Sequence, residues 1–474
     1  MNNNDNNSKN TLSGLKNKNN INNNDSIPFR VNFIKELLDN KDLKPLVNFD
    51  ITETENFINM KKNNNNDNNN DNNDNNDNDN DYSSVQSHDT RHNLNKKLMD
   101  FNSVISDIGG KLLYVKSGST GHTFKGIMDS NNDNLSYAVK VVAYPKKENY
   151  GDIYDTRRPE NAELMMIKLL SYFVIKKQTP HIILPISTFY TKITPFVNLI
   201  KEDIVDEDNK KYKEFIEKYR NNEYHNNVSI LISEWATRGD FLDYVRKHYR
   251  NFKLIHWKVF FFQLISTLAV IQSKFPAFRH NDLKANNILV TKVPKKEGSY
   301  SIYKVSGAEY VVANIGYQLK LWDFDFACIP GIVDNEKVSS KWTKQINVIP
   351  EQNRYYDMHY FFNTFIKKEF FAQLIEEDCV AQEVKDFVHR IVPKKYQEGK
   401  YIHKRGRILI KDEYLIPNDV LKKDPFFAQF RREKNISKSV KKEEPKKIIN
   451  KNYKNSEFNN LVSLEDLLIN NSSD

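Results

Sequence analysis

Several short segments of this chain hold residue types that can handle phosphate. Asp282, Lys284 and Asn287 stand close together in His280-Asn281-Asp282-Leu283-Lys284-Ala285-Asn286-Asn287, just ahead of the apolar run Ile288-Leu289-Val290. A carboxylate can take or orient the proton of a hydroxyl, an ammonium can steady anionic oxygen, and a carboxamide oxygen can share in holding a cation. Asp323 ends the apolar run Leu319-Lys320-Leu321-Trp322, and a hard cation that bridges phosphates needs such carboxylate oxygen. Gly118 and Gly121 lie in Lys116-Ser117-Gly118-Ser119-Thr120-Gly121-His122-Thr123-Phe124, where a missing side chain would let backbone N–H groups approach phosphate closely. Lys140 follows 19 residues after Gly121, in Tyr137-Ala138-Val139-Lys140. Together these residues suit phosphoryl transfer to a hydroxyl, a reaction carried by positioning and charge neutralisation.

In order and spacing, the segments resemble the protein-kinase superfamily over about Lys111 to Phe427. The first matches H-R-D-L-x-x-x-N at every fixed position except Arg, where Asn281 stands. The resemblance implies that Asp282 accepts or orients the hydroxyl proton, that Lys284 steadies the transferring charge, and that Asn287 and Asp323 hold magnesium or manganese beside ATP. Asp323-Phe324-Asp325 occupies the place of Asp-Phe-Gly, 36 residues beyond Asn287. The glycine-rich loop departs from G-x-G-x-x-G-x-V at Lys116 and Thr123. Lys140 would pair the α- and β-phosphates, and Glu163 would hold Lys140, with Glu160 the competitor one turn earlier. Ser233 stands at the gatekeeper position, and Glu234 to Ala236 would offer adenine backbone hydrogen bonds. Asp282-x-Lys284-x-x-Asn287 resembles the serine/threonine form, so the expected substrates are proteins; small-molecule kinases of the aminoglycoside type usually lack that Lys.

A narrower likeness follows in Asp323-Phe324-Asp325-Phe326, in Gly331-Ile332, and in Asn353-x-Tyr355-Tyr356-Asp357-x-His359-x-Phe361. These resemble the virion serine/threonine kinase of poxviruses and its relatives in large DNA viruses. That resemblance implies a buried helix on which Asp357 braces the catalytic loop, and a place in the virion or host cytoplasm; a cellular source would imply the cytoplasm. Asn281 lacks the charge that normally receives an activation-loop phosphate, which argues against switching by that route. No Ala-Pro-Glu stands between Asp323 and Asp357, with Pro350-Glu351 a remnant at best. Lys116, Asn281 and Asp325 together keep a pseudokinase-type scaffold as the alternative from another functional class.

The elements needed to position these residues can be read from periodicity. Short alternating segments, Lys111 to Gly118, His122 to Asp129 and Ser136 to Tyr144, read as an antiparallel sheet. Glu160 to Ile175, after Pro159, reads as a helix. Beyond Trp235 the pattern is mainly helical, over Asp240 to Tyr249, Ile255 to Phe275 and Tyr356 to Glu376. The expected fold is α+β: a small antiparallel β-rich N-lobe and a larger α-helical C-lobe. Thr291 to Gln318 is longer than a hairpin needs and reads as a surface excursion.

Composition divides the 474 residues into 1–95, Asn-rich, with helical spacing over 27–60; 96–430, an ordinary catalytic-domain composition; and a basic tail, 431–474. Met1 to Asn24 and Asn63 to Asp81 are too poor in apolar residues to offset ordering entropy, so disorder is expected there. With only Cys328 and Cys379, and no signal sequence at the start, a disulfide framework and secretion are not expected. No uncharged apolar run reaches the ~18 residues of a membrane span, and Val259 to Ile271 reads as a buried helix. The net charge of +9 is concentrated in Arg431 to Lys454, where ten Lys or Arg face three Glu. Such a tail could meet an anionic partner, nucleic acid or membrane, or could simply be solvated.

Overall fold

The computed structural model describes residues 26–67, 94–118, 120–128 and 135–432. Its elements are helices α1 (Ile27–Leu38), α2 (Ile51–Asp67) and α3 (Phe101–Ile108); strands β1 (Lys111–Ser117), β2 (Gly121–Ile127) and β3 (Ser136–Pro145); helix α4 (Pro159–Ile175); and strand β4 (Pro185–Lys192). Helix α5 (Lys210–Arg220) and strand β5 (Tyr224–Glu234) complete the first lobe, whose antiparallel sheet runs β1-β2-β3-β5-β4. Helices α6 (Phe241–His248) and α7 (Leu254–Lys274) open the second, followed by β6 (Ile288–Lys292), the hairpin β7 (Tyr300–Val305) and β8 (Ala308–Ala313), and β9 (Tyr317–Leu321). Helices α8 (Glu336–Ser339), α9 (Lys341–Gln345), α10 (Tyr356–Phe365), α11 (Gln373–Glu376), α12 (Gln382–Ile391) and α13 (Pro417–Lys423) complete it. The fold is thus a two-lobed α+β arrangement.

Local chemistry sets these boundaries. Pro159 and Pro417 each occupy a first helical turn, where the missing N–H costs no hydrogen bond. Asp240 accepts the Asp243 N–H to cap α6. The carbon-rich α7 is buried almost all round and is the axis of the second lobe. Although α7 is long and apolar enough to cross a membrane, 83% of its most apolar window is buried inside the protein.

Three expectations are corrected. The Asn/Asp tract after Asn63 does not begin as disorder, because α2 runs into it as far as Asp67; a helix already nucleated over packed residues such as Phe57 and Ile58 extends at little cost. The remainder of that tract, and Met1 to Asn24, lie outside the described residues. Thr291 to Gln318 is more than a surface excursion, since Tyr303, Tyr310 and Val312 of its hairpin are buried, with both tyrosines against Phe262 of α7. Tyr356 to Glu376 is not one helix: the chain folds back at Ile366, and the Phe371 N–H donates to Phe365 O. The helical segment read over 27–60 consists of α1 and α2, and Ile27, Phe33, Ile34, Leu37 and Leu38 of α1 join the same apolar cluster as α4 and α7.

That N-terminal segment is bolted on by polar contacts as well. Arg30, 5% exposed, makes a two-pronged ion pair with Glu234 at the end of β5 (Nε–Oε1 2.6 Å, Nη2–Oε2 2.7 Å) and donates to the carbonyls of Pro180 and Ile182. Burial would push the Glu234 carboxyl up, but the Arg30 guanidinium, aided by Lys320, holds it below the ordinary carboxylate range. The Leu46 N–H donates to Ile186 O and the Met99 N–H to Tyr190 O, so the free edge of β4 is covered. Lys96 reaches inward to Tyr144, Asn161 and Ser229 and ties α4 to the sheet.

Two measurable consequences follow from this packing. Arg30→Met leaves the largely buried Glu234 carboxylate without its principal counter-charge and is expected to cost about 3–5 kcal/mol in urea unfolding; a loss below about 1 kcal/mol would show that the pair does not anchor the segment. His122 and His359 are buried and held down to about 4, chiefly by desolvation. Between pH ~6.5 and ~4 the unfolded chain therefore binds protons that the folded chain refuses, and stability should fall as pH falls, by up to about 3 kcal/mol per histidine. Unfolding midpoints at pH 7.5 and 5, compared with those of His122→Phe, measure the first share.

Candidate active site

The cleft between the lobes is built outward from β3. Lys140, opposite Leu231 of β5 in register, reaches Glu163 of α4 at 2.6 Å and Asp323 at 3.2 Å. Its ammonium also lies 5.6 Å from the centre of the Trp322 ring. Burial opposes the charge on Lys140, but the carboxylates of Glu163 and Asp323 more than offset it and raise its proton affinity. Asp323 is correspondingly lowered, against burial, by Lys140. For Glu163, burial and the nearby Asp323 and Asp325 push upward against the pull of Lys140. Glu160, the competitor, turns instead to Arg158 at 3.2 Å.

Between α7 and β6 runs the loop Arg279 to Asn287. Asp282 Oδ2 accepts from Asn287 Nδ2 and lies beside Lys284 Nζ, both at 3.0 Å. Asn287 Nδ2 also donates to Asp282 O at 2.9 Å, so the amide oxygen is what remains for a cation. Asp357 of α10 accepts the His280 N–H at 2.7 Å and the Asn281 N–H at 2.9 Å. His280 Nε2 in turn lies 3.0 Å from Trp322 O, joining this loop to the one that carries Asp323. Asn281 and Asp323 both adopt left-handed backbone, at φ 64° and 63°, conformations that cost energy and persist where surrounding contacts dictate them.

The remaining expected residues divide. The Glu234 N–H is taken by Leu184 O and its carboxylate by Arg30 and the Leu184 N–H, so the carbonyl is the backbone group that remains for a ligand. Ala236 follows just beyond the strand and is buried. The Gly118 N–H donates to Gly121 O at 2.8 Å. Gly121 is needed for a reason other than phosphate: a Cβ there would lie 1.8 Å from Val141 O of the neighbouring strand. Ser119 lies outside the described residues.

Sequence reasoning missed several contributors. Arg407, from the segment after α12, donates to Asp282 Oδ1 at 2.6 Å. Arg279 lies over the Tyr356 ring at 3.7 Å and donates to the carbonyls of Asn347 and Glu351. Lys337 pairs with Asp325 and sits 3.9 Å from the centre of the Phe326 ring. Each lies far in sequence from its partner or inside a run of charges that reads as solvated surface.

Among the described residues, no three His, Cys, Asp or Glu side chains are grouped to hold a metal alone. The Asp323 carboxylate and Asn287 amide nevertheless offer hard oxygen, the donor chemistry of an ion that keeps waters and shares phosphate oxygens.

Comparison with known sequences agrees with this geometry. Residues 150–429 match the family described as poxvirus serine/threonine protein kinase. A protein of Acanthamoeba polyphaga mimivirus named as a serine/threonine-protein kinase is 47% identical over 408 residues, 85% of this chain and 80% of its own. Serine/threonine-protein kinase 2 of fowlpox virus is 29% identical over 211 residues, 42% of this chain and 43% of its own. A second mimivirus protein so named is 26% identical over 271 residues, 49% of this chain and 64% of its own. With more than half of its length matched and the kinase constellation assembled in one cleft, the chain belongs to the poxvirus serine/threonine protein kinase family.

Proposed function

We propose that this kinase moves the γ-phosphoryl group of ATP to Ser or Thr of proteins with Asp282 as base or hydroxyl-orienting group. The supporting observation is the meeting of Lys140, Glu163 and Asp323 at 2.6 and 3.2 Å above a loop that presents Asp282, Lys284 and Asn287. In this reading Lys140, steadied by Glu163, takes the α- and β-phosphates, and Ala236 and the Glu234 carbonyl meet adenine. Gly118 and Gly121 close over the phosphates. Asp323 and Asn287 would hold Mg²⁺ or Mn²⁺, which when bound neutralises charge developing on the phosphates. Asp282 lies within reach of Lys284, so the hydroxyl proton and the transferring negative charge are handled side by side.

The neutral Asn281 amide, bonded to Phe326 O at 3.1 Å, does the bracing for which an activation-loop phosphate is otherwise recruited. This supports an enzyme that works without that modification. A place in the virion or host cytoplasm belongs to the same proposal, on the viral source of the relatives. So does an anionic partner for the basic tail, most of which lies outside the described residues.

Labelled ATP with magnesium or manganese, offered casein, a basic protein and the enzyme itself, tests the assignment. Asp282→Asn should lower transfer by on the order of 10²–10⁴-fold; undiminished turnover would remove Asp282 from the mechanism. Lys140→Met should lower turnover on the order of 10²-fold by misplacing ATP, and wild-type rates would show that another cation binds the phosphates. ATP-dependent thermal stabilisation without transfer to any protein would favour the scaffold reading.

A further inference from the structure

Asp282 carries two cations, and they differ in kind. Lys284 is 29% exposed and faces the open side, whereas Arg407 is 6% exposed and approaches from within the protein. The Arg407 guanidinium donates to Asp282 Oδ1 at 2.6 Å, to Asn281 O, and to Tyr356 OH at 3.2 Å, and its central carbon lies over the Tyr360 ring, 4.1 Å from the ring centre. A planar fork bonded at both ends and held over an aromatic ring has little freedom left, unlike an ammonium on a flexible stem.

The segment bearing Arg407 is itself fixed. Ile402 bridges Ile408, and the His403 N–H donates to Arg407 O at 2.8 Å. Asn363 of α10 holds Gly406 O at 2.9 Å, and Asn347 holds Ile408 O. Tyr356, Asp357, Tyr360 and Asn363 all belong to α10. One helix therefore supports both the backbone of the catalytic loop, through Asp357, and the side chain of Asp282, through Arg407.

We propose that Arg407 is a positioning residue for phosphoryl transfer, which orients the Asp282 carboxylate and balances its charge from the interior so that Lys284 is free to turn to the transferring group. The inference rests on the role given above to Asp282. Were Lys284 the sole counter-charge, its departure toward phosphate would leave a largely buried carboxylate uncompensated, at a cost that Arg407 removes.

The test is a double-mutant cycle on the full chain, with wild type, Arg407→Met, Asp282→Asn and the double variant assayed with magnesium, ATP and casein. Arg407→Met should lower kcat on the order of 10²-fold, with KM for ATP unchanged within about 2-fold and a further loss of under about 2-fold in the Asp282→Asn background. Arg407→Lys, which keeps charge but loses the fork, should fall between wild type and Arg407→Met. Wild-type kcat in Arg407→Met, a loss confined to KM for ATP, or a loss that multiplies undiminished with that of Asp282→Asn would overturn the proposal. If Asp282→Asn is too slow for the cycle, the division between kcat and KM in the single variant decides. If Arg407→Met fails to fold by circular dichroism, Arg407→Lys carries the same measurements. Full activity in Asp282→Asn alone would instead defeat the reading of Asp282, a separate outcome.

Discussion

Asp357 gives both oxygens of a fully buried carboxylate to consecutive backbone N–H groups, those of His280 and Asn281. Burial pushes this carboxyl up, opposed by His280 and Arg279 and by the two N–H donors themselves. Because the contacts are to main chain, they fix the path of the loop whatever side chains it bears. The left-handed turn at Asn281 is held there, and the turn delivers Asp282 to its partners. Removing the carboxylate would orphan two buried donors and release the strain stored beside them.

From that point the order spreads to both lobes. His280 passes it to Trp322, next to Asp323, and Asp323 meets Lys140 of the first lobe. Lys140 engages Glu163 on α4, and α4 is fastened by Lys96 and by Glu55, which takes bonds from Tyr172 and Lys176. Asp325, where kinases usually carry glycine, is paired with Lys337 and adds negative charge near Lys140 and Glu163. The bond from Asn281 to Phe326 and that from Arg279 to Glu351 hold the following segment against the loop without any added charge.

Groupings that can be stated within a dozen positions were legible in the sequence. The Asp282, Lys284 and Asn287 group, the β-branched run around Lys140, and Asp323 at a strand end are of this kind, as are the helix starts at Pro159 and Asp240. Glu163 could be preferred over Glu160 because the apolar register after it turns Glu163 to the sheet. Arg30 and Arg407 were not legible, since their partners lie 204 and 125 residues away and no local pattern marks a buried arginine. Gly121 was found for a partial reason: its spacing suggested a phosphate loop, whereas the close approach of Val141 O is a property of strand pairing. The hairpin after Thr291 misled because its buried face is complete only against α7.

The ion pair between Arg30 and Glu234 also bears on how the chain is made. At ribosomal rates of about 5–20 residues per second, α1 waits roughly 10–40 s for Glu234 to be synthesised, because the two are 204 residues apart. For the first part of that interval the apolar face of α1 lacks α4, and for all of it the Arg30 guanidinium lacks its carboxylate partner. The earliest of the described elements to be translated thus cannot complete its polar anchor until β5 has emerged, and nascent chains of this kinase should need protection from association until then.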